Sequence, residues 1–154
     1  MNSATDTDAE LFYRLNPDRF LRPERRTVRH ILITFNTPEE RRKAELELNE
    51  IAAKLRSGAD FAKLALRHSQ CPTSLEGGLV GNVPRGQLFP QLDAVLFTLQ
   101  PGELSPAVET EVGLHLLRCE AILPPDTIPF EMVRERIIAA LNKNRHINHG
   151  RTVN

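Results

Sequence analysis

The run Val-Arg-His-Ile-Leu-Ile-Thr-Phe at residues 28–35 constrains the fold more than any other part of this sequence. Its β-branched and apolar side chains predict a β-strand. Because neighbouring side chains of a strand point to opposite faces, Val28, His30 and Leu32 lie on one face and the alternate residues lie on the other. Both faces are mostly apolar, so we expect a central strand in a sheet that is covered on both sides.

Helical patterns follow this strand. Thr37, Pro38 and Glu40 form a strong helix start, in which Thr37 is the N-cap and Glu40 completes a capping box. Asp60 can cap a second, short helix. The remaining predictions are a loop at 69–84, helices at 90–99 and 130–141, and strands at 107–110 and 114–121. This order predicts an α+β domain in which helices pack on a small, mostly antiparallel sheet.

Composition excludes several classes of function. The 154 residues suit one domain, and 20 basic side chains balance 20 acidic ones, which argues against binding nucleic acid or anionic membrane. No apolar run approaches the roughly 18 residues that span a bilayer, and the first ten residues are polar and acidic. We therefore expect a cytoplasmic protein whose two cysteines are thiols. No cysteine or histidine spacing indicates a metal, and no glycine-rich motif indicates a nucleotide cofactor, so neither is expected.

Four polar residues in apolar surroundings are candidates for chemistry. His30 and His115 each lie in the middle of a buried-looking strand, and Thr110 ends the strand before His115. If the two strands are neighbours, the imidazoles can face each other and form a hydrogen bond that fixes each tautomer. Cys71 lies in a glycine-flanked loop that could cover the sheet. Cysteine with histidine suggests a nucleophile and its base, but spacing alone does not separate a thiol hydrolase from a non-covalent function.

Several short motifs, taken in order, resemble the parvulin family of peptidyl-prolyl isomerases. The resemblance runs from Val28 to about Glu120 and is highly specific because the motifs occur together at matching spacing. The motifs are Val-Arg-His-Ile-Leu-Ile at 28–33, Ser-Gly-Ala-Asp-Phe-Ala at 57–62, His-Ser-Gln-Cys at 68–71, Gly-Gly-Leu-Val-Gly at 77–81, Arg-Gly-Gln-Leu at 85–88, Leu-Gln-Pro-Gly-Glu-Leu-Ser at 99–105 and Gly-Leu-His-Leu-Leu at 113–117.

The resemblance implies a fold and a set of site residues. The fold is a four-stranded antiparallel sheet surrounded by three to four helices, plus a C-terminal helix. The implied catalytic residues are His30, Cys71, Thr110 and His115. The implied proline pocket consists of Val80, Leu88, Leu92 and Phe97. The chain then divides into an N-terminal lead-in at 1–27, the parvulin-like domain at 28–122, and an amphipathic helix and tail at 123–154, and the arginines of the lead-in are interpreted as solvated.

The resemblance also implies a reaction and a client. Thr34 stands where phosphate-selective parvulins carry a basic residue, so selectivity for phosphoserine-proline is not expected. Further similarity to a nitrogen-fixation branch of the family is carried by His-Ser-Gln-Cys-Pro-Thr at 68–73, Leu-Ser-Pro at 104–106 and Leu-Leu-Arg-Cys-Glu at 116–120. This similarity implies a maturation role, with proline-containing polypeptides, including the nitrogenase iron protein, as substrates. Two other functions stay open at this point: a non-catalytic peptide-binding chaperone module on the same fold, and a thiol-dependent enzyme.

Overall fold

The computed structural model describes the backbone of residues 3–152 and the side chains of residues 3–145, so residues 153 and 154 of the predicted C-terminal segment lie outside it. Residues 24–124 form one compact unit, and the segments before and after it form a second. The helices are α1 (Asp6–Leu15), α2 (Pro38–Arg56), α3 (Phe61–His68), α4 (Pro90–Leu96) and α5 (Phe130–Thr152). The strands are β1 (Leu21–Arg22), β2 (Arg25–Ile33), β3 (Leu79–Pro84), β4 (Val108–Thr110), β5 (Gly113–Leu123) and β6 (Asp126–Thr127).

A four-stranded sheet forms the centre of residues 24–124. Its strand order is β3-β2-β5-β4, and each neighbouring pair is antiparallel. The prediction of an α+β fold with a four-stranded antiparallel sheet is confirmed, as is the central position of β2. In this register His30 lies opposite Leu117, and Val108 lies opposite His115. The two histidines are therefore carried by adjacent strands.

Each face of the sheet has its own hydrophobic core. Side chains at alternate positions, such as Ile31 and Leu116, pack with α2 and α3 on one face. The residues between them, such as Val28 and Leu117, pack with α4 on the other face. This alternation is the two-residue period read from the sequence, and it places His30 on the α4 face because His30 is two residues from Val28.

The first two helices of the central unit begin where the sequence predicts. The Thr37 hydroxyl accepts a hydrogen bond from Glu40 N–H at 3.1 Å, and the Asp60 carboxylate accepts one from Ala62 N–H at 3.1 Å. One detail of the capping-box prediction is wrong. The Glu40 carboxylate accepts from Asn36 N–H at 2.7 Å, one residue before the N-cap. The carboxylate still satisfies a free donor at the helix entrance.

Residues 69–84, which the pattern indicates as a loop, end in the edge strand β3. Gly81, Asn82 and Pro84 are poor strand formers, and only Val83 in this strand is fully buried. The strand exists because β2 offers it a row of hydrogen-bonding partners. An edge position tolerates Pro84, which has no N–H to donate.

The second unit brings together the two ends of the described chain. Helix α1 packs on α5 around a core that contains Ala9, Phe20, Val133 and Ile137. The Tyr13 hydroxyl donates to the Ile128 carbonyl at 2.7 Å, although these residues are 115 positions apart. The sequence treated these segments as a separate lead-in and tail, whereas the structure packs them against each other. No helix within residues 3–152 has the length and apolar character needed to cross a membrane.

Candidate active site

Three of the predicted polar residues form one buried hydrogen-bonded chain. His30 Nε2 lies 2.9 Å from His115 Nδ1, and His115 Nε2 lies 2.6 Å from Thr110 Oγ1. The two imidazole planes are 25° apart. Strands β2, β5 and β4 each contribute one member, so the antiparallel register itself sets the spacing. The exposed fractions are 8% for His30, 7% for Thr110 and 2% for His115.

Burial keeps both histidines neutral near pH 7. Desolvation, together with a smaller contribution from the neighbouring His115, lowers the pKa of His30 to about 4. Desolvation also lowers the pKa of His115 to about 4. A neutral imidazole has one N–H donor and one acceptor nitrogen. Each histidine therefore donates to one neighbour in the chain of hydrogen bonds and accepts from the other, so all the bonds point the same way.

The surroundings of Thr110 favour one direction for this chain. The Thr110 oxygen accepts from Val112 N–H at 3.3 Å, which leaves its own proton available for His115 Nε2. If the Thr110 hydroxyl donates to His115 Nε2, His115 donates from Nδ1 to His30 Nε2, and His30 carries its proton on Nδ1. Within the described residues, His30 Nδ1 is buried and has no hydrogen-bond partner. With this direction the network ends in a buried N–H of His30 that has no acceptor among the described residues.

The four predicted pocket residues belong to one apolar cluster on the same face of the sheet. Leu92 and Phe97 are buried in it, and Val80 and Leu88 pack against it half-exposed. The cluster also contains Val108 and Leu117, which lie opposite His115 and His30 in the strand register. An apolar surface thus adjoins the polar chain.

Cys71 is not part of the hydrogen-bonded chain that joins Thr110, His115 and His30. It precedes the short turn Pro72–Glu76, and its side chain is half-buried. Its backbone N–H lies 3.4 Å from the Ser69 hydroxyl oxygen. In the described part of the chain its thiol makes no hydrogen bond, so the thiol–imidazole contact that a nucleophile needs is not formed here. Cys119, the other thiol, is fully buried in the α4-face core, and burial raises its pKa.

The sequence prediction missed a buried arginine behind the pocket. Arg26 was assigned to a solvated lead-in, but it lies in β2 and is only 5% exposed. Its guanidinium lies 5.0 Å from the centroid of the Phe97 ring and pairs with Glu24 at 2.9 Å. The exposed Arg85 lies 4.4 Å from the same centroid. The available signal was the two-residue period, since Arg26 continues the series of Val28 and His30.

The chain is similar to known proteins over most of its length. The family model for rotamases, the PPIC-type PPIase domain, matches residues 30–121. The putative peptidyl-prolyl cis-trans isomerase NifM of Azotobacter chroococcum mcd 1 is 39% identical over 137 residues, which cover 86% of this chain and 47% of that protein. The chaperone SurA of Methylobacillus flagellatus is 39% identical over 94 residues, or 59% of this chain and 22% of that protein.

A solved structure supports the same relationship. The peptidylprolyl isomerase PrsA from Bacillus anthracis superimposes with a TM-score of 0.56 at 25% identity, over 92% of this chain and 56% of that chain. The chain spans about half the length of its NifM relative. The family match contains both histidines, Thr110 and the four predicted pocket residues. The chain therefore belongs to the PPIC-type, or parvulin, family of peptidyl-prolyl cis–trans isomerases.

Proposed function

We propose that this chain catalyses cis–trans isomerisation of X–Pro bonds in polypeptide substrates. The observation that carries the proposal is the buried Thr110–His115–His30 chain beside an apolar cluster, in a member of this family. The cluster can bury a proline ring, and the hydrogen-bonded polar chain lies on the same face of the sheet. Both features suit a substrate that is apolar at the ring and polar at the adjoining peptide.

The reaction needs no bond to break. Rotation about the X–Pro bond faces a barrier of roughly 18–20 kcal/mol and takes about 10–100 s without a catalyst. The barrier comes from amide resonance, which places partial charges on oxygen and nitrogen in the planar state. A dry apolar pocket disfavours that charge-separated state, and a donor that binds the twisted state better than the planar one lowers the barrier.

The residues divide these tasks. Val80, Leu88, Leu92 and Phe97 hold the proline ring and exclude water. Thr110, His115 and His30 form a polar floor whose fixed tautomers keep a donor oriented without rearrangement. Cys71 contacts the substrate carbonyl region and tunes its polarity rather than attacking it. The lack of a thiol–imidazole hydrogen bond supports this non-covalent role over a thiol-dependent enzyme.

A proline-peptide isomerisation assay tests the activity. Wild type is compared with His115→Ala and with the control His68→Ala, which changes a half-buried histidine that bonds Glu47 at 3.1 Å outside the proposed site. We expect His115→Ala to lose at least tenfold in kcat/KM, the scale of one positioned catalytic group, and His68→Ala to keep its activity. If wild type binds the peptide without accelerating its isomerisation, the result would instead support the alternative function, a non-catalytic peptide-binding chaperone module.

A nitrogenase iron protein is the proposed client. The support is the 39% identity to a protein named NifM together with the motifs shared with the nitrogen-fixation branch of the family. Co-expression of the iron protein with wild type or with His115→Ala tests this, and soluble active iron protein is the readout. We expect wild type alone to raise the yield. If wild type, His115→Ala and an empty vector all gave the same yield of soluble active iron protein, this client would be excluded.

A further inference from the structure

The loop at residues 69–78 is bonded to β2 at both of its ends. At its start, Gln70 N–H donates to the Leu32 carbonyl at 2.8 Å. At its end, the Gly78 carbonyl accepts from His30 N–H at 2.9 Å. The two attachments are made to β2 positions only two residues apart, one of which is a proposed site residue. The path of the loop is therefore fixed relative to the polar chain.

Two side chains at the start of the loop add further bonds. The Ser69 hydroxyl oxygen accepts from Leu32 N–H at 3.1 Å and lies 3.4 Å from Cys71 N. The Gln70 amide oxygen accepts from Thr34 N–H at 2.5 Å and from the Thr34 hydroxyl at 2.6 Å. Because a backbone N–H can only donate, the Gln70 oxygen must face Thr34.

These bonds restrain the residue that follows them. Gln70 is attached to β2 by its main chain and by its side chain, and the next residue is Cys71. The thiol of Cys71 has no hydrogen bond of its own within the described residues, so its restraint by hydrogen bonds comes through the backbone, which fixes the position of its Cβ. We propose that Gln70 is a positioning residue that fixes Cys71 relative to the His30–His115 pair.

The expected effect of Gln70 on the isomerisation rate rests on the proposed function. Whether Gln70 fixes the position of Cys71 can be measured separately. Two variants change the contact in opposite ways: Gln70→Ala removes the acceptor oxygen, whereas Gln70→Glu keeps an oxygen at the same distance along the side chain. Thr34→Val removes one of the two donors and keeps the N–H. The control is Gln100→Ala, because Gln100 is exposed and its side chain makes no hydrogen bond in the described part of the chain.

Two readouts are taken on each variant of the 154-residue chain: kcat and KM for peptide isomerisation, and the rate at which iodoacetamide alkylates Cys71. Mass spectrometry shows which cysteine is alkylated. We expect this to be Cys71, because Cys119 is fully buried. A single hydrogen bond is worth about a fivefold shift in a conformational equilibrium. We expect Gln70→Ala to lower kcat by at least that factor with little change in KM, and to change the alkylation rate by a similar factor. Gln70→Glu and Gln100→Ala should stay near wild type, and Thr34→Val should lie between.

An unchanged alkylation rate in Gln70→Ala would overturn the inference, and so would a Gln70→Glu variant as impaired as Gln70→Ala. If Gln70→Ala fails to fold, Thr34→Val is judged by the same criteria. A wild type without isomerase activity would remove the proposed function, while the alkylation rates would still decide whether Gln70 positions Cys71.

Discussion

Acidification from pH 8 to pH 5 should destabilise residues 24–124 through the buried histidine pair. Burial lowers the pKa of His30 and of His115 to about 4, whereas an unfolded histidine titrates near 6.5. Between these values the unfolded state binds more protons than the folded state, so the free energy of unfolding falls as the pH falls. At pH 5 the loss is about 2 kcal/mol for each histidine and about 4 kcal/mol for the pair, relative to pH 8.

Urea unfolding at pH 8, 7, 6 and 5 measures this loss. Wild type is compared with the double variant His30→Gln/His115→Gln, whose amides cannot take up a proton, and with His68→Gln as a control for histidine removal elsewhere. The double variant should have a lower stability at pH 8 but should lose about 4 kcal/mol less than wild type on acidification. The reasoning would be refuted if wild type and the double variant lost the same free energy between pH 8 and pH 5.

Three substitutions test other parts of the unit. Thr110→Val leaves a buried imidazole nitrogen unpaired, so we expect a loss of about 1–3 kcal/mol in urea unfolding and a lower kcat in the peptide assay. Leu92→Ala empties space in the α4-face core, so stability should fall by about 2–5 kcal/mol and the KM for proline peptides should rise. Gly78 has φ +81°, and Gly78→Ala would place a Cβ 2.6 Å from the His30 carbonyl oxygen. Gly58 has a similar φ of +98° but open space around it, so we expect Gly78→Ala to lower the free energy of unfolding more than Gly58→Ala does. Equal losses in the two variants would show that the close approach to His30 is unimportant.

The sequence predicted the centre of this fold because its strongest signals are local. The alternation along β2 sets the two faces of the sheet, and Thr37 and Asp60 mark helix starts by chemistry that acts within three residues. The pairing of His30 with His115 was conditional on their strands being neighbours. The register satisfies that condition, because His30 and His115 lie on the adjacent strands β2 and β5. The resemblance to parvulins had already implied that the two histidines belong to one site.

The features that the sequence did not reveal depend on distant partners. β3 has weak strand propensity and forms through its pairing with β2. The charge of Arg26 argued for solvent exposure, but Glu24 and the Phe97 ring compensate it in the fold. The Gln70–Thr34 contact joins residues 36 positions apart, and no periodic pattern encodes a side-chain contact of that kind.

The packing of α1 on α5 sets an order of events during synthesis. The α5 partners of α1 lie more than a hundred positions later in the chain, as the shared core of Ala9, Val133 and Ile137 illustrates. Residues 24–124 contain all four strands of the main sheet and both of its cores, so they can fold while α5 is still being translated. Helix α1 can contact Phe20 at once, but its contacts with α5 form only after α5 has been translated. Prior folding of the central unit then shortens the span that separates α1 from α5, which lowers the entropic cost of closing a loop of roughly a hundred residues.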